Sequence, residues 1–267
     1  AVTIALMEWI VITLASLLAG FVDAIVGGGG LLLLPALFAT FPSTPPATLL
    51  GTNKAGSVWG TAMATWQYSR RVEMRWHAML PAALAGFSAS FAGAWAVTVV
   101  SPDFLRKLLP LVLVFVLGYT LVKKELGRHH TPRYAGRAEW MAASLIGATI
   151  GFYDGFFGPG AGSFYALAFV TLAGFNLAKS TAHAKLLNAT SNVGGLLLFI
   201  IGGKVIWATG FVMMAGQFIG ARAGSRLVLS KGQSLIRPMI VIVSAVMSAK
   251  LLYDSHGAEI LQWLGIH

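Results

Sequence analysis

Hydrophobic residues fall into runs near 9–26, 31–41, 50–68, 78–100, 104–122, 139–157, 162–175, 186–203, 205–221 and 236–253, with polar residues gathered between them. A helix of about 20 apolar residues, rising about 1.5 Å each, crosses a hydrocarbon core of about 30 Å, so most of these runs read as membrane spans. Two are too short. The run 31–41 would cover only about 16 Å and 162–175 about 21 Å. Each follows a glycine break, made of Gly27, Gly28, Gly29 and Gly30 in one case and Gly158, Pro159, Gly160 and Gly162 in the other. This pattern predicts two helical hairpins that turn within or near the membrane. Glu8 stands at the start of the first run and no basic residue precedes it, so the run reads as a span and not a cleaved signal. At 256–267, Leu261, Trp263, Leu264 and Ile266 stand beside polar residues, and the stretch reads as a short interfacial helix.

Composition makes the membrane reading firm. The 267 residues are 57% hydrophobic and 10% charged, with mean hydropathy +0.75, whereas a soluble domain carries about 25% charged residues. The fold class expected is therefore an all-α polytopic membrane protein without a large extramembrane domain. A net charge of +10 would point to nucleic acid in a soluble chain; here it reads as basic cytoplasmic loops facing membrane lipids, and nucleic acid is not an expected partner. There is no cysteine, which excludes disulfides, thiolate metal sites and cysteine catalysis.

The chain also repeats itself. A shift of 131 residues lays Gly20-Phe21-Val22-Asp23 on Gly151-Phe152-Tyr153-Asp154, Gly27 on Gly158, Gly29 on Gly160 and Lys54 on Lys185, with nine identities over 20–54. Two copies, 1–131 and 132–262, account for nearly everything. Each would hold a broken helical hairpin plus three transmembrane helices. If every run crossed once, the copies would be parallel and basic residues would divide nine against seven between the two sides. If each hairpin returns to its own side, the copies are inverted. The cytoplasm then receives Arg70, Arg71, Arg75, Lys123, Lys124, Arg128, Arg133, Arg137, Lys179, Arg222, Arg226, Lys231 and Arg237, thirteen against the three of Arg106, Lys107 and Lys204. The positive-inside rule favours inversion, with His267 outside the cytoplasm. Inverted repeats with interrupted helices are a design of secondary transporters, with the site between repeats at the midplane.

Candidate chemistry follows the same repeat. Lys185, Asn188 and Asn192 lie on one helix face, matched in the first half by Lys54, Ser57 and Thr61. A lysine inside a span faces a cavity, a counter-ion or a ligand, or, if it begins the span, snorkels to the surface. Asn53, Thr52, His183 and Ser191 are second-tier candidates. Around the turns, Gly28, Gly29 and Gly30, and Gly160, Ala161 and Gly162, can leave backbone N–H groups open at the start of a helix, where an anion is favoured; the alternative is that they only allow close packing. Asp23 and Asp154 precede the turns and read either as acceptors for free helix N–H groups or as proton carriers. No Ser-His-Asp arrangement or His-Glu-x-x-His motif is present, so neither an enzyme, a metal site nor a cofactor is expected.

Gly20-Phe21-Val22-Asp23-Ala24-Ile25-Val26 with the four glycines after it, Pro35-Ala36-Leu37 and Gly51-Thr52-Asn53-Lys54 are similar to the signature of the TauE/SafE sulfite-exporter family. The second half, with Gly151 to Gly160 and His183 to Asn192, resembles the family's YfcA-type branch. The second half reads Ala182-His183-Ala184-Lys185 where the first has Gly-Thr-Asn-Lys, so only the lysine is shared. The resemblance implies a bacterial inner-membrane carrier for a small anionic substrate, sulfite or an organosulfonate. A membrane anion sensor or an anion channel are the alternatives that the same residues leave open.

Overall fold

The structure is a computed structural model that describes residues 6–105, 108, 111 and 131–231. The expected spans at 236–253 and over most of 104–122, and the tail at 256–267, lie outside these residues. Among the described residues the chain is helical and carries no strand. Its helices are α1 (Leu6–Val26), α2 (Gly29–Thr40), α3 (Pro46–Ser69), α4 (Trp76–Val99), α5 (Arg137–Phe156), α6 (Ala161–Thr171), α7 (Leu177–Ile201) and α8 (Trp207–Lys231).

Helix ends follow local chemistry. Gly27 and Gly158 take φ of 90° and 93°, a left-handed conformation that stops α1 and α5 and is open to glycine at little cost. Pro46 opens α3 at a position where no N–H is needed. Asn176 caps α7 by accepting from Lys179 N at 2.9 Å. The polar residues at 179–185 belong to α7 and extend it well before the apolar run, just as α3 begins ahead of its own. Lys54 and Lys185 are consequently about two turns inside their helices and do not begin them.

Leu6, Pro46 and Trp76 open α1, α3 and α4, and Arg137, Leu177 and Trp207, each 131 positions later, open α5, α7 and α8. Packing follows the same offset. On α1 and α8, Ser16 meets Gly216, Leu17 meets Gly220 and Phe21 meets Gly224, so the two run in one direction. Helices α4 and α5 also run together, with Ala82 against Gly147, Gly86 against Gly151 and Ser90 against Gly155. A methyl added at Gly20 would lie 2.6 Å from Gln217 Cα, and one at Gly151 2.9 Å from Gly86 Cα. These are equivalent contacts in the two halves, and small residues are what let the backbones approach.

Helix α3 runs with α8, from Thr52 beside Ile206 to Gln67 beside Arg222. Helix α7 runs with α4, from His183 beside Arg75 to Gly194 beside Phe87. Against each other, α3 and α7 run in opposite directions: Gly51 meets Phe199, while Lys54 meets Asn192 and Gly195. Because α1 and α3 both run with α8, the chain returns between them through α2, which at 12 residues is about 18 Å long.

Among the described residues, Leu6–Ile25, Trp76–Val99 and Leu177–Ile201 are long and apolar enough to cross a membrane. The outer faces are apolar, with Met7, Leu14 and Leu18 of α1 and Leu80, Leu84 and Trp95 of α4 exposed. Lys54, Lys185, Asp23, Asp154, Asn188 and Asn192 are buried. Such an inside-polar, outside-apolar arrangement suits hydrocarbon surroundings.

Candidate functional site

Four charged side chains meet where α3 and α7 cross. Lys54 Nζ lies 2.9 Å from Asp154 Oδ1, and Lys185 Nζ lies 3.6 Å from Asp23 Oδ2. Each lysine takes its counter-ion from the other half of the chain. Lys54, Lys185 and Asp154 are at most 2% exposed and Asp23 is 7% exposed. An unpaired charge at such depth is costly, and pairing within hydrogen-bond reach is what makes the burial tolerable. Lys54 and Lys185 each sit about 5–6 Å before the middle of their helices, which run in opposite directions.

The two pairs are built differently. Lys54 also donates to Asn192 Oδ1 at 3.0 Å, and Asn192 Nδ2 lies 3.4 Å from Asn188 Oδ1. Ser191 Oγ donates to Asp154 Oδ2 at 2.5 Å, while Ser90 Oγ donates to the Ser191 carbonyl. Gly195 makes room for the stem of Lys54, since a methyl there would lie 2.9 Å from its Cδ and Cε. Around Lys185 these polar groups are missing. The positions equivalent to Asn188, Ser191 and Asn192 hold Ser57, Gly60 and Thr61, and Thr61 Oγ1 turns back to the Ser57 carbonyl of its own helix. Lys185 donates to the Asp23 carbonyl, Asp23 Oδ1 accepts from Gly29 N at 3.2 Å, and Asp23 Oδ2 has no hydrogen-bond partner among the described residues.

The glycine turns face each other beside this cluster. A methyl at Gly27 would lie 2.5 Å from Ser163 N, one at Gly162 3.0 Å from Asn188 Nδ2, and one at Gly30 3.2 Å from Pro159 Cα. Gly160 has φ 79° and precedes α6, where Ala161 is buried. Gly28 precedes α2 with φ −116°. Gly29 is helical, and its N–H is already taken by Asp23, the arrangement expected of a carboxylate that caps a broken helix.

Other candidates lie apart from the lysines. His183 is enclosed by Phe169 and Phe175; its Nε2 accepts from Arg75 N at 3.2 Å and its Nδ1 faces the Lys179 carbonyl at 2.7 Å. Thr52 repeats that contact in the first half by accepting from Ile206 N at 2.9 Å. Asn53 is buried, and its Oδ1 has no partner among the described residues. Sequence reasoning missed Ser90 and Gln217. Gln217 is 2% exposed between Gly56 and Gly60, with Nε2 3.4 Å from Ser57 Oγ. For Gln217 the available signal was a lone polar residue within an apolar run; Ser90 shares its run with Ser88 and is not singled out. It also missed the latch at the end of the bundle where Arg75 Nη1 donates to both oxygens of the buried Glu139 at 2.9 Å, with His77 Nε2 3.2 Å away.

Chemically, the cluster offers two ammonium groups and the amides of Asn188 and Asn192, held by carboxylates that a competing anion could replace.

Residues 12–251 match the family described as sulfite exporter TauE/SafE. The probable membrane transporter protein YfcA of Escherichia coli K12 is 59% identical over 258 residues, 96% of this chain and 94% of that protein. A probable membrane transporter protein of Haemophilus influenzae is 42% identical over 236 residues, 88% of this chain and 91% of its own. The probable membrane transporter protein ORF9 of a Sinorhizobium species is 41% identical over 252 residues, 94% of each chain. No solved structure matches this chain. With a family match spanning the helices that carry both lysine–aspartate pairs, this membrane protein belongs to the TauE/SafE family.

Proposed function

We propose that this membrane transporter is a secondary carrier of small sulfur-containing anions, sulfite or organosulfonates. It would work by alternating access across the bacterial inner membrane, with its site at the midplane between two inverted repeats. The observation that carries the reading is the crossed pairing of Lys54 with Asp154 and Lys185 with Asp23. A substrate anion takes the place of a carboxylate at a lysine, and because each pair joins the two halves, the exchange loosens one half from the other. The amides of Asn188 and Asn192 supply further donors for an oxyanion.

Inversion is supported by the opposite directions of α3 and α7, which occupy equivalent places in the repeat. It also gathers Arg70, Arg75, Arg137, Lys179, Arg222 and Arg226 at one end of the bundle and leaves Lys204 at the other, the division that the positive-inside rule asks for. At the basic end, Arg70 lies over Trp66 at 5.2 Å beside Arg71 and Arg226, a surface suited to anionic lipid heads. The sulfur-anion class rests on the family's description and the transport class on the names of the relatives.

Thermal shift of the purified protein against sulfite, thiosulfate, taurine, sulfoacetate and sulfolactate tests binding, since a ligand stabilises by mass action. Flux into proteoliposomes tests transport. Saturable counterflow is expected; ohmic current would make the protein a channel, and stabilisation without flux would make it a sensor.

A further inference from the structure

We propose that Asp23 carries the coupling proton: it takes a proton on Oδ2, releases Lys185 to pair with the transported anion, and so moves one proton with each anion. The proposal rests on the transport reading above and adds the driving ion to it.

The asymmetry of the two pairs is the ground for choosing Asp23. Both oxygens of Asp154 are engaged, Oδ1 by Lys54 and Oδ2 by Ser191, so a proton there displaces a bond already made. On Asp23 the Gly29 N–H occupies Oδ1, and Oδ2 accepts no hydrogen bond among the described residues and faces only the Lys185 ammonium at 3.6 Å, so a proton there displaces no hydrogen bond. The neutral acid still accepts from Gly29 through Oδ1, so α2 keeps its cap in both states. The difference traces to position 60, where glycine stands at the place that Ser191 fills in the second half.

Charge balance then produces coupling. The proton bonds to a lone pair of Oδ2 and takes the carboxylate from −1 to 0, which leaves the Lys185 ammonium buried without a counter-ion. That state is costly until an anion arrives, and an anion arriving while Asp23 is still ionised meets a carboxylate that repels it. Empty-and-protonated and loaded-and-ionised states are both disfavoured, so proton and anion bind and leave together. Lys185 of α7 faces Asp23 directly, with the Lys54–Asp154 pair of α3 and α5 in the same cluster. Helices α2 and α6 carry no charged residue, and Arg222 and Arg226 of α8 are exposed. Tyr68 of α3 donates to the Ala24 carbonyl and Tyr165 of α6 faces the Gly147 carbonyl, so neither hydroxyl competes for Oδ2.

The test uses thiosulfate and methanesulfonate, whose charge does not change between mildly acidic and mildly alkaline pH. With wild-type proteoliposomes, a pH gradient acidic outside drives accumulation, and affinity falls about tenfold per pH unit on the alkaline side. Asp23→Asn should retain counterflow that is independent of pH and lose accumulation driven by the gradient, whereas Glu73→Gln, at an exposed carboxylate away from the cluster, should keep gradient-driven accumulation. Gradient-driven accumulation by Asp23→Asn overturns the proposal. In case Asp23→Asn does not fold, wild-type protein in weakly buffered detergent with a pH indicator gives a second reading: one proton taken up per anion bound is expected, and none overturns it. Wild type that neither binds nor exchanges either anion removes the transport reading itself, whereas exchange without proton uptake removes only the role of Asp23.

Discussion

Lys54 and Asp154 lie 2.9 Å apart although 100 residues of chain separate them, and the lysine belongs to the first half while the carboxylate belongs to the second. The reciprocal pair, Lys185 with Asp23, is made by the same two positions of the repeat with the halves exchanged. The bond therefore fastens α3 to α5, and its partner fastens α7 to α1. Two buried links of this kind tie the first half of the chain to the second.

Breaking one such pair should cost more than removing both members. Lys54→Met leaves the Asp154 carboxylate buried and unpaired, and a loss of about 3–5 kcal/mol is expected. Lys54→Met combined with Asp154→Asn should recover much of it. Thermal unfolding of the two variants in detergent checks the order; a double variant less stable than the single would refute the pairing.

How far this was legible in the sequence depends on the residue. The 131-residue repeat placed Lys54 with Lys185 and Asp23 with Asp154, and the short runs marked α2 and α6. Which carboxylate meets which lysine was not legible, because it depends on the direction of α5 against α3, which no local pattern encodes. The same limit hid Ser90, whose contact with Ser191 crosses from α4 to α7. Helix starts were misjudged from hydropathy alone, since the polar residues at 179–185 are interior and pair within the protein. The turns were found, but not which glycines need their freedom: Gly27, Gly158 and Gly160 have positive φ, whereas Gly29 is helical and crowded instead.

Glycine substitutions should separate these causes. A methyl at Gly29 would lie 2.7 Å from the Ala19 carbonyl oxygen and 2.8 Å from Asp23 Cβ, so Gly29→Ala should disturb the Asp23 cap by crowding. At Gly27 crowding against Gly162 adds to a φ of 90°, and Gly27→Ala should be more damaging than either cause alone. Gly136 has φ 57° and ψ −126° but nothing within 4 Å of an added methyl, so Gly136→Ala should show only backbone strain, about 1–3 kcal/mol. Melting temperatures at matched expression test the order Gly136 below Gly27.

At the basic end, two ion pairs should differ widely. Glu139 is buried and accepts two bonds from Arg75, and Glu139→Gln is expected to cost about 1.5–3 kcal/mol. Glu73 is 88% exposed and 3.5 Å from Lys179, so Glu73→Gln should change stability by about 1 kcal/mol or less. Equal losses for both would mean that Glu139 contributes nothing through its burial.

The direction of the two halves can be read with cysteines, because the chain has none of its own. Arg71 follows α3, Arg226 lies near the end of α8, and Lys204 lies between α7 and α8. With inverted halves, α3 and α8 end on the same side, so Arg71→Cys and Arg226→Cys share a face and Lys204→Cys lies on the other. With parallel halves, Arg71 and Lys204 share a face and Arg226 is opposite. Arg71 and Arg226 are exposed and Lys204 is half-buried, so each cysteine should be open to a water-soluble reagent. A membrane-impermeant maleimide should label Arg71→Cys and Arg226→Cys in inside-out vesicles and Lys204→Cys in right-side-out ones. Labelling of Arg71→Cys together with Lys204→Cys from one face would reject inversion. It would also remove the geometric reason for the lysine of one half to meet the aspartate of the other at the middle of the membrane.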